Sequence, residues 1–136
     1  MTPIESMLIR HEGIRLKPYK DSVGLLTIGV GRCLDRKGIT QEEAYILLRN
    51  DIAECLEQLE DTFPWFIRLD DVRQDALTNM CFNLGIEGLK KFQNMLKAIE
   101  NKDCQTAHDE ALDSTWAKQV GQRAVELAGM LLTGEV

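Results

Sequence analysis

Apolar residues recur at helical intervals through most of this chain. Ile4, Met7, Leu8 and His11 form one stripe, as on an amphipathic helix. Thr2, Pro3 and Glu5 supply a capping box and a helix-start proline, and Gly13 is placed to stop the helix. The pattern then changes to alternation. Leu16 to Gly31 reads as a β-hairpin turning at Asp21-Ser22-Val23-Gly24. On its return strand Leu26, Ile28 and Val30 point one way and Thr27, Gly29 and Gly31 the other. The first set predicts a core face, the second a face of nearly bare backbone. Thr40 with Glu43 is a second capping box, opening a long helix to about Asp61 with the stripe Ala44, Leu48, Ile52, Cys55 and Leu59. Phe63-Pro64-Trp65-Phe66 breaks it. Four more helices are predicted, over about Val72 to Leu84, Leu89 to Ile99, Asp103 to Leu112 and Gly121 to Leu132, with Asp71 and Gln74 capping the first. The reading is a mostly helical α+β fold. A small β-containing lobe is joined by one long helix to a helical lobe, and a cleft between lobes is a natural ligand site.

Composition narrows this. The 136 residues are 44% hydrophobic and 28% charged, which fits a globular chain. No run of about 18 apolar residues predicts a membrane span. The start MTPIESMLIRHEG lacks the basic end and apolar core of a signal peptide. Synthesis in the cytoplasm, without unaided use of the general secretory route, is the expectation. The four cysteines are irregularly spaced, with no C-x-x-C; Cys55 and Cys81 fall on apolar helical faces and read as buried free thiols, and no metal site is expected. A net charge of -6 argues against nucleic acid as partner and predicts weak, salt-tolerant binding to anionic surfaces. A monomer is expected, because the helical faces leave no large apolar stripe once packed.

Two carboxylates stand out in HEGIRLKPYKDSVGLLTIGVGR, His11 to Arg32. Glu12 ends the first helix in line with Leu8 and Ile4. Partial burial and the negative end of the helix dipole both favour a retained proton, as a general acid needs. Asp21 lies in a polar turn, where it stays ionised. Two carboxyl groups in such contrasting settings form the acid/base pattern of glycoside hydrolysis. Thr27 returns across the hairpin near Asp21, where its hydroxyl can hold a water. Gly29 and Gly31 let a bulky ligand approach the strand. Taken singly, a Glu at a helix end is a solvated charge, an Asp before Ser-x-Gly a turn former, and a strand glycine a bulge. Their arrangement in one hairpin unit is what singles them out.

The run H-E-G-x5-Y-x-D-x2-G-x2-T-I-G-x-G resembles the catalytic hairpin of phage-type lysozymes, the endolysins of the T-even phage kind. The resemblance continues through the long helix, DALTNMCFNLGIEGLKKFQNMLKAI (Asp75 to Ile99) and STWAKQVGQRA (Ser114 to Ala124). It implies a single lysozyme domain over 1–136, with 13–60 as the β-containing lobe and its connecting helix, and 1–12 with 61–136 as the helical lobe. It implies hydrolysis of bacterial peptidoglycan between N-acetylmuramic acid and N-acetylglucosamine, with inversion, no cofactor, and release to the wall through a holin. By the same resemblance Glu12 is the general acid, Asp21 activates or orients the attacking water, and Thr27 helps hold that water. Arg123 matches an arginine that pairs with the glutamate. Gly31, Phe82, Asn83 and Trp116 match cleft-lining positions; Phe82 and Trp116 read equally well as core aromatics, and Asn83 as a turn cap before Gly85.

Three departures accompany the match. Arg32 stands where the family usually has a histidine, and Asp51 matches that histidine's acidic partner. An Arg32–Asp51 pair would hold a fixed charge through about pH 5–8. The loop Asp35 to Gly38 is short for the family, and the charge is acidic where members are often basic. These features motivate a second reading, a lysozyme-like wall-binding module without turnover. A third is a lytic transglycosylase, which can work with the glutamate alone. Intact Glu12, Asp21 and Thr27 favour hydrolysis.

Overall fold

The computed structural model describes all 136 residues. In chain order it contains α1 (Pro3–Glu12), β1 (Arg15–Lys20), β2 (Leu26–Gly29), β3 (Arg32–Cys33), α2 (Leu34–Lys37) and α3 (Gln41–Thr62). A 3₁₀ turn at Phe66–Arg68 follows, then α4 (Asp71–Lys90), α5 (Gln93–Glu100), α6 (Cys104–Leu112), α7 (Thr115–Val120) and α8 (Gln122–Thr133). The expected mostly helical α+β class is observed, with one small antiparallel sheet. Two compact units divide the chain, Met1–Leu47 and Leu48–Val136. No helix is long and apolar enough to cross a membrane.

In the first unit, local chemistry sets the helix starts. Thr2 and Glu5 form the expected reciprocal box on α1. Thr40 Oγ1 accepts from Glu43 N, and Thr40 N donates to Glu43 Oε1, on α3. Each such cap contributes about 1 kcal/mol. The sheet order is β1-β2-β3, with Arg15 opposite Gly29, Tyr19 opposite Thr27 and Thr27 opposite Cys33. The two-residue β3 and the single-turn α2 were not foreseen, and the short loop expected over Asp35 to Gly38 is mostly that turn.

Two face assignments are corrected. Leu26 and Val30 are exposed, whereas Thr27 is the buried residue of β2, at 4%. Thr27 is paired on both sides in the central strand, and its hydroxyl is satisfied locally by donating to Leu25 O, so burial leaves no orphaned polar group. The α1 stripe is also uncovered: Ile4, Met7 and Leu8 are all exposed.

Arg32 has a different partner from the expected Asp51. Its guanidinium grips Glu43 through Nη1 (3.0 Å) and Nη2 (2.9 Å) and donates to Gly38 O (3.0 Å). Glu43 is already held at the N-terminus of α3 by its cap, so the fork meets a preorganised carboxylate. Asp51 lies exposed on α3. The Arg32 side chain, with Thr40 N–H behind it, holds the Glu43 carboxyl down to about 2. A depressed carboxylate stabilises the fold above its unfolded value and loses that contribution as pH falls through the folded one. Stability from this pair is therefore constant through about pH 5–8 and declines from pH 4.5 towards about 2. Arg32→His is expected to add a second dependence. An imidazole paired with Glu43 stabilises below about pH 6.5 and loses that contribution as pH rises past its raised value. Urea midpoints across pH 3–8 read both slopes; identical curves for parent and variant would refute the pairing.

The buried core lies wholly in the second unit. Leu59, Phe66, Leu77, Met80, Leu89, Met95 and Leu131 are its largest fully enclosed side chains along with Cys81. Burial, with Cys55 beside it, pushes the Cys81 thiol up to about 12, so it stays protonated. All four cysteines are free, and Cys55 and Cys81 are buried as expected. α8 packs on α4, α6 and α7, and α5 packs on α6. The cap of α4 is Asp70, accepting from Arg73 N, rather than Asp71 with Gln74. Gly85, at φ 74°, breaks α4 internally, and the helix expected over Leu89 to Ile99 is divided at Lys91–Phe92. α7, absent from the sequence reading, starts at Ser114, whose Oγ accepts from Ala117 N.

Arg73 closes this unit. Its Nε donates to Leu131 O (2.8 Å) and Nη2 to Leu132 O (3.0 Å), while Nη1 pairs with Asp70 (3.0 Å). A cation thus satisfies the last carbonyls of α8 at the negative end of its dipole. Arg73→Met is expected to cost about 2–3 kcal/mol, read as a lower urea midpoint at unchanged slope. An unchanged midpoint would mean that packing alone holds the end of α8.

Candidate functional site

Glu12 is the last residue of α1. Gly13, at φ 76°, turns the chain out of the helix into β1, its N–H donating to Ile9 O. Glu12 is exposed, so the partial burial expected for it is absent; its fellow stripe residues are uncovered too. What the fold does provide is a seat. Gly31, at φ 65°, lies directly beneath the carboxyl group. A Cβ at position 31 would stand 2.8 Å from Glu12 Oε2 and 2.9 Å from Cδ. Glycine serves here both for the left-handed backbone and for the space.

The second carboxylate belongs to a tight turn. Asp21 Oδ1 accepts from Val23 N and Leu25 N, both at 2.9 Å. Asp21 N donates to Leu25 O, and Gly24 N to Asp21 O. Thr27 Oγ1 donates to the same Leu25 carbonyl at 3.0 Å. The Leu25 peptide therefore ties Asp21 and Thr27 together. Asp21 Oδ2 takes part in none of these bonds. The Thr27 hydroxyl has spent its proton and keeps acceptor lone pairs.

In the second unit Arg123 is oriented by a residue the sequence reading missed. Nε and Nη2 donate to Asn79 Oδ1 at 2.9 and 2.7 Å. Asn79 lies in the run DALTNMCFNL, four residues before Asn83 and one helical turn away on α4. Arg123, Asn79 and Phe82 line a concavity of about 370 Å³ with Leu48, Ile52 and Thr78. Phe82 is exposed, not a core aromatic. Trp116 is buried, its Nε1 donating to Asn83 Oδ1 at 2.7 Å and its ring edge-on to Phe92. Asn83 is thus engaged by the indole. Trp116 also borders a concavity of about 620 Å³ that includes Glu110 and Asp113. His11 is exposed and His108 rests its Nδ1 against Asp109.

The sequence profile of the family described as Phage lysozyme matches residues 9–131. The chain belongs to the phage lysozyme family. This lysozyme-family chain is similar to the pre-baseplate central spike protein Gp5 of Enterobacteria phage T4, at 31% identity over 96% of its own length and 28% of the spike protein's. That alignment has 158 positions against 136 residues here, so the spike protein carries segments this chain lacks. It is also similar to a probable T4-type lysozyme of Dictyostelium discoideum, at 28% identity over 98% of this chain and 96% of the relative. An endolysin of Salmonella phage P22 is 35% identical over 82% of this chain and 78% of the relative.

Proposed function

We propose that this protein is a muramidase. It hydrolyses the β-1,4 bond between N-acetylmuramic acid and N-acetylglucosamine of bacterial peptidoglycan. Family membership supports a lysozyme-type glycoside hydrolase. The observation that carries the finer reading is the Glu12 carboxyl group seated over side-chain-free Gly31, on the unit that also holds the Asp21–Leu25–Thr27 turn.

Glu12, as general acid, protonates the glycosidic oxygen as the bond breaks. A water bound between Asp21 Oδ2 and Thr27 Oγ1 attacks the anomeric carbon from the opposite face. It donates one hydrogen bond to the free lone pair of Thr27 and yields its other proton to Asp21. Attack by water on an oxocarbenium-like centre inverts the configuration. Gly31, with Gly29, forms a floor on which a sugar ring approaches the backbone. On the second unit, Phe82 offers an exposed aromatic face and Asn83 an exposed polar edge for substrate, with the buried Trp116 indole holding Asn83 in place. Arg123, fixed by Asn79, is the cation of that surface and acts in support. Arg32 is a positioning residue acting through Glu43, and Asp51 is left without that role. Synthesis in the cytoplasm, holin-dependent release to the wall, action as a monomer and a single lysozyme domain complete the reading.

The test is product analysis of purified peptidoglycan by mass spectrometry after reduction of new ends. Reducing muramic acid ends are expected. Anhydro-muramic ends would replace hydrolysis by transglycosylation. Neither product, with walls still bound, would make the protein a binding module.

A further inference from the structure

The mean charge conceals a division. The first unit carries seven Lys and Arg against six Asp and Glu, and the second nine against sixteen. The whole of the excess acidity therefore belongs to Leu48–Val136, and Met1–Leu47 is slightly basic. Within the first unit the cations are concentrated as well. β1, RLKPYK, contains Arg15, Lys17 and Lys20 and no acidic residue. None of the three is in an ion pair, whereas Arg32 is committed to Glu43. All three are exposed, and Leu16 between them is 87% exposed.

The strand is also positioned, with an irregularity in its pairing between Arg15 and Tyr19. β1 is an edge of the sheet, and its register sets Arg15 opposite Gly29 and Tyr19 opposite Thr27. The Arg15 guanidinium lies 4.6 Å from the centroid of the Tyr19 ring, a cation–π contact that holds it in place. Pro18 has no N–H to give, so this edge is unsuited to pairing with another strand. Charge is what it offers.

We propose that β1 is a docking strip for the carboxylates of peptidoglycan stem peptides, with Lys17 and Lys20 as the mobile contacts and Arg15 as the fixed one. The proposal rests on the hydrolase reading only for its choice of polymer. A glycan lying along Gly29 and Gly31 carries its acidic stems past the neighbouring strand, and unpaired cations there meet them. Such contacts act over a Debye length of about 30 Å at 0.01 M salt and about 8 Å at 0.15 M. Binding is then salt-sensitive, the reverse of what the net charge alone predicts.

The experiment uses peptidoglycan stripped of phosphate polymers, before and after amidation of its carboxylates with ethanolamine. Co-sedimentation and release of reducing ends are measured at both salt levels. For the parent protein, binding to untreated peptidoglycan is expected to weaken with salt, and amidation to abolish that dependence. Lys17→Gln/Lys20→Gln is expected to raise KM about tenfold at low salt, as for loss of two modest ion pairs, with kcat and melting temperature retained and little salt response left. Lys17→Glu/Lys20→Glu should weaken binding further. Parent-like salt curves for both variants would overturn the proposal. So would a dependence that survives amidation, or one that appears only when phosphate polymers are present. Variants that self-associate yet bind the wall normally would show that the lysines only guard the edge. Salt-sensitive binding without any turnover would sink the hydrolase reading and leave this one standing; turnover with salt-independent binding would do the reverse.

Discussion

Glu12→Gln is expected to abolish the release of reducing muramic acid ends, by about 10²–10⁴-fold in kcat, the usual contribution of a positioned general acid. Its folding should be unaffected. Glu12 is exposed at the end of α1 and its side chain makes no hydrogen bond or ion pair, and substitutions at such positions stay within about 0.5 kcal/mol. Binding to peptidoglycan should persist, because glutamine keeps the size and polarity of the side chain. The measurement is kcat on purified peptidoglycan alongside a urea titration. Retained turnover would remove Glu12 from the mechanism. A large fall in stability would show instead that its role is structural.

Gly31→Ala carries the second large effect, and its cause is separable. At φ 65° any side chain strains the backbone, by about 1–2 kcal/mol. The added Cβ also meets Glu12 Oε2 at 2.8 Å. The obstructed atoms are the far end of a flexible side chain, so the carboxyl group swings aside rather than the backbone. The fold tolerates the change and the acid is misplaced. A displacement of about 1 Å at a reacting group costs on the order of 10² in rate. Gly38→Ala is the control. Its φ is 60° and its Cβ would meet nothing within 4 Å. Both variants should lose stability in urea titrations, and only Gly31→Ala should lose kcat. Equal activities would mean that Gly31 serves the turn alone.

These effects show where the sequence was informative. Thr2 with Glu5 and Thr40 with Glu43 were legible because a capping box is closed within four residues. The turn at Asp21 to Gly24 was legible for the same reason, its bonds reaching no further than Leu25. The paired carboxylates and the family-like hairpin were also visible, as ordered spacing along one short run. Hydrophobic period alone said less. It found α1, α3, α6 and α8, yet it does not say whether a stripe meets a partner, and Ile4, Met7 and Leu8 meet none. Alternation on β2 placed Thr27 on the open face, whereas pairing on both sides encloses it. Arg32 was assigned to Asp51 by correspondence with relatives, but the carboxylate already fixed at the head of α3 is Glu43. Arg73 reaches the end of α8 across 58 residues, and no local signal announces that. By itself, then, the sequence determined the caps, the turn, most helices and the identity of the chemical groups, because each depends on neighbours within a few residues. The tertiary structure alone decided that Gly31 makes room for Glu12 and that Asn79 orients Arg123, because those facts depend on which distant segments the chain brings together.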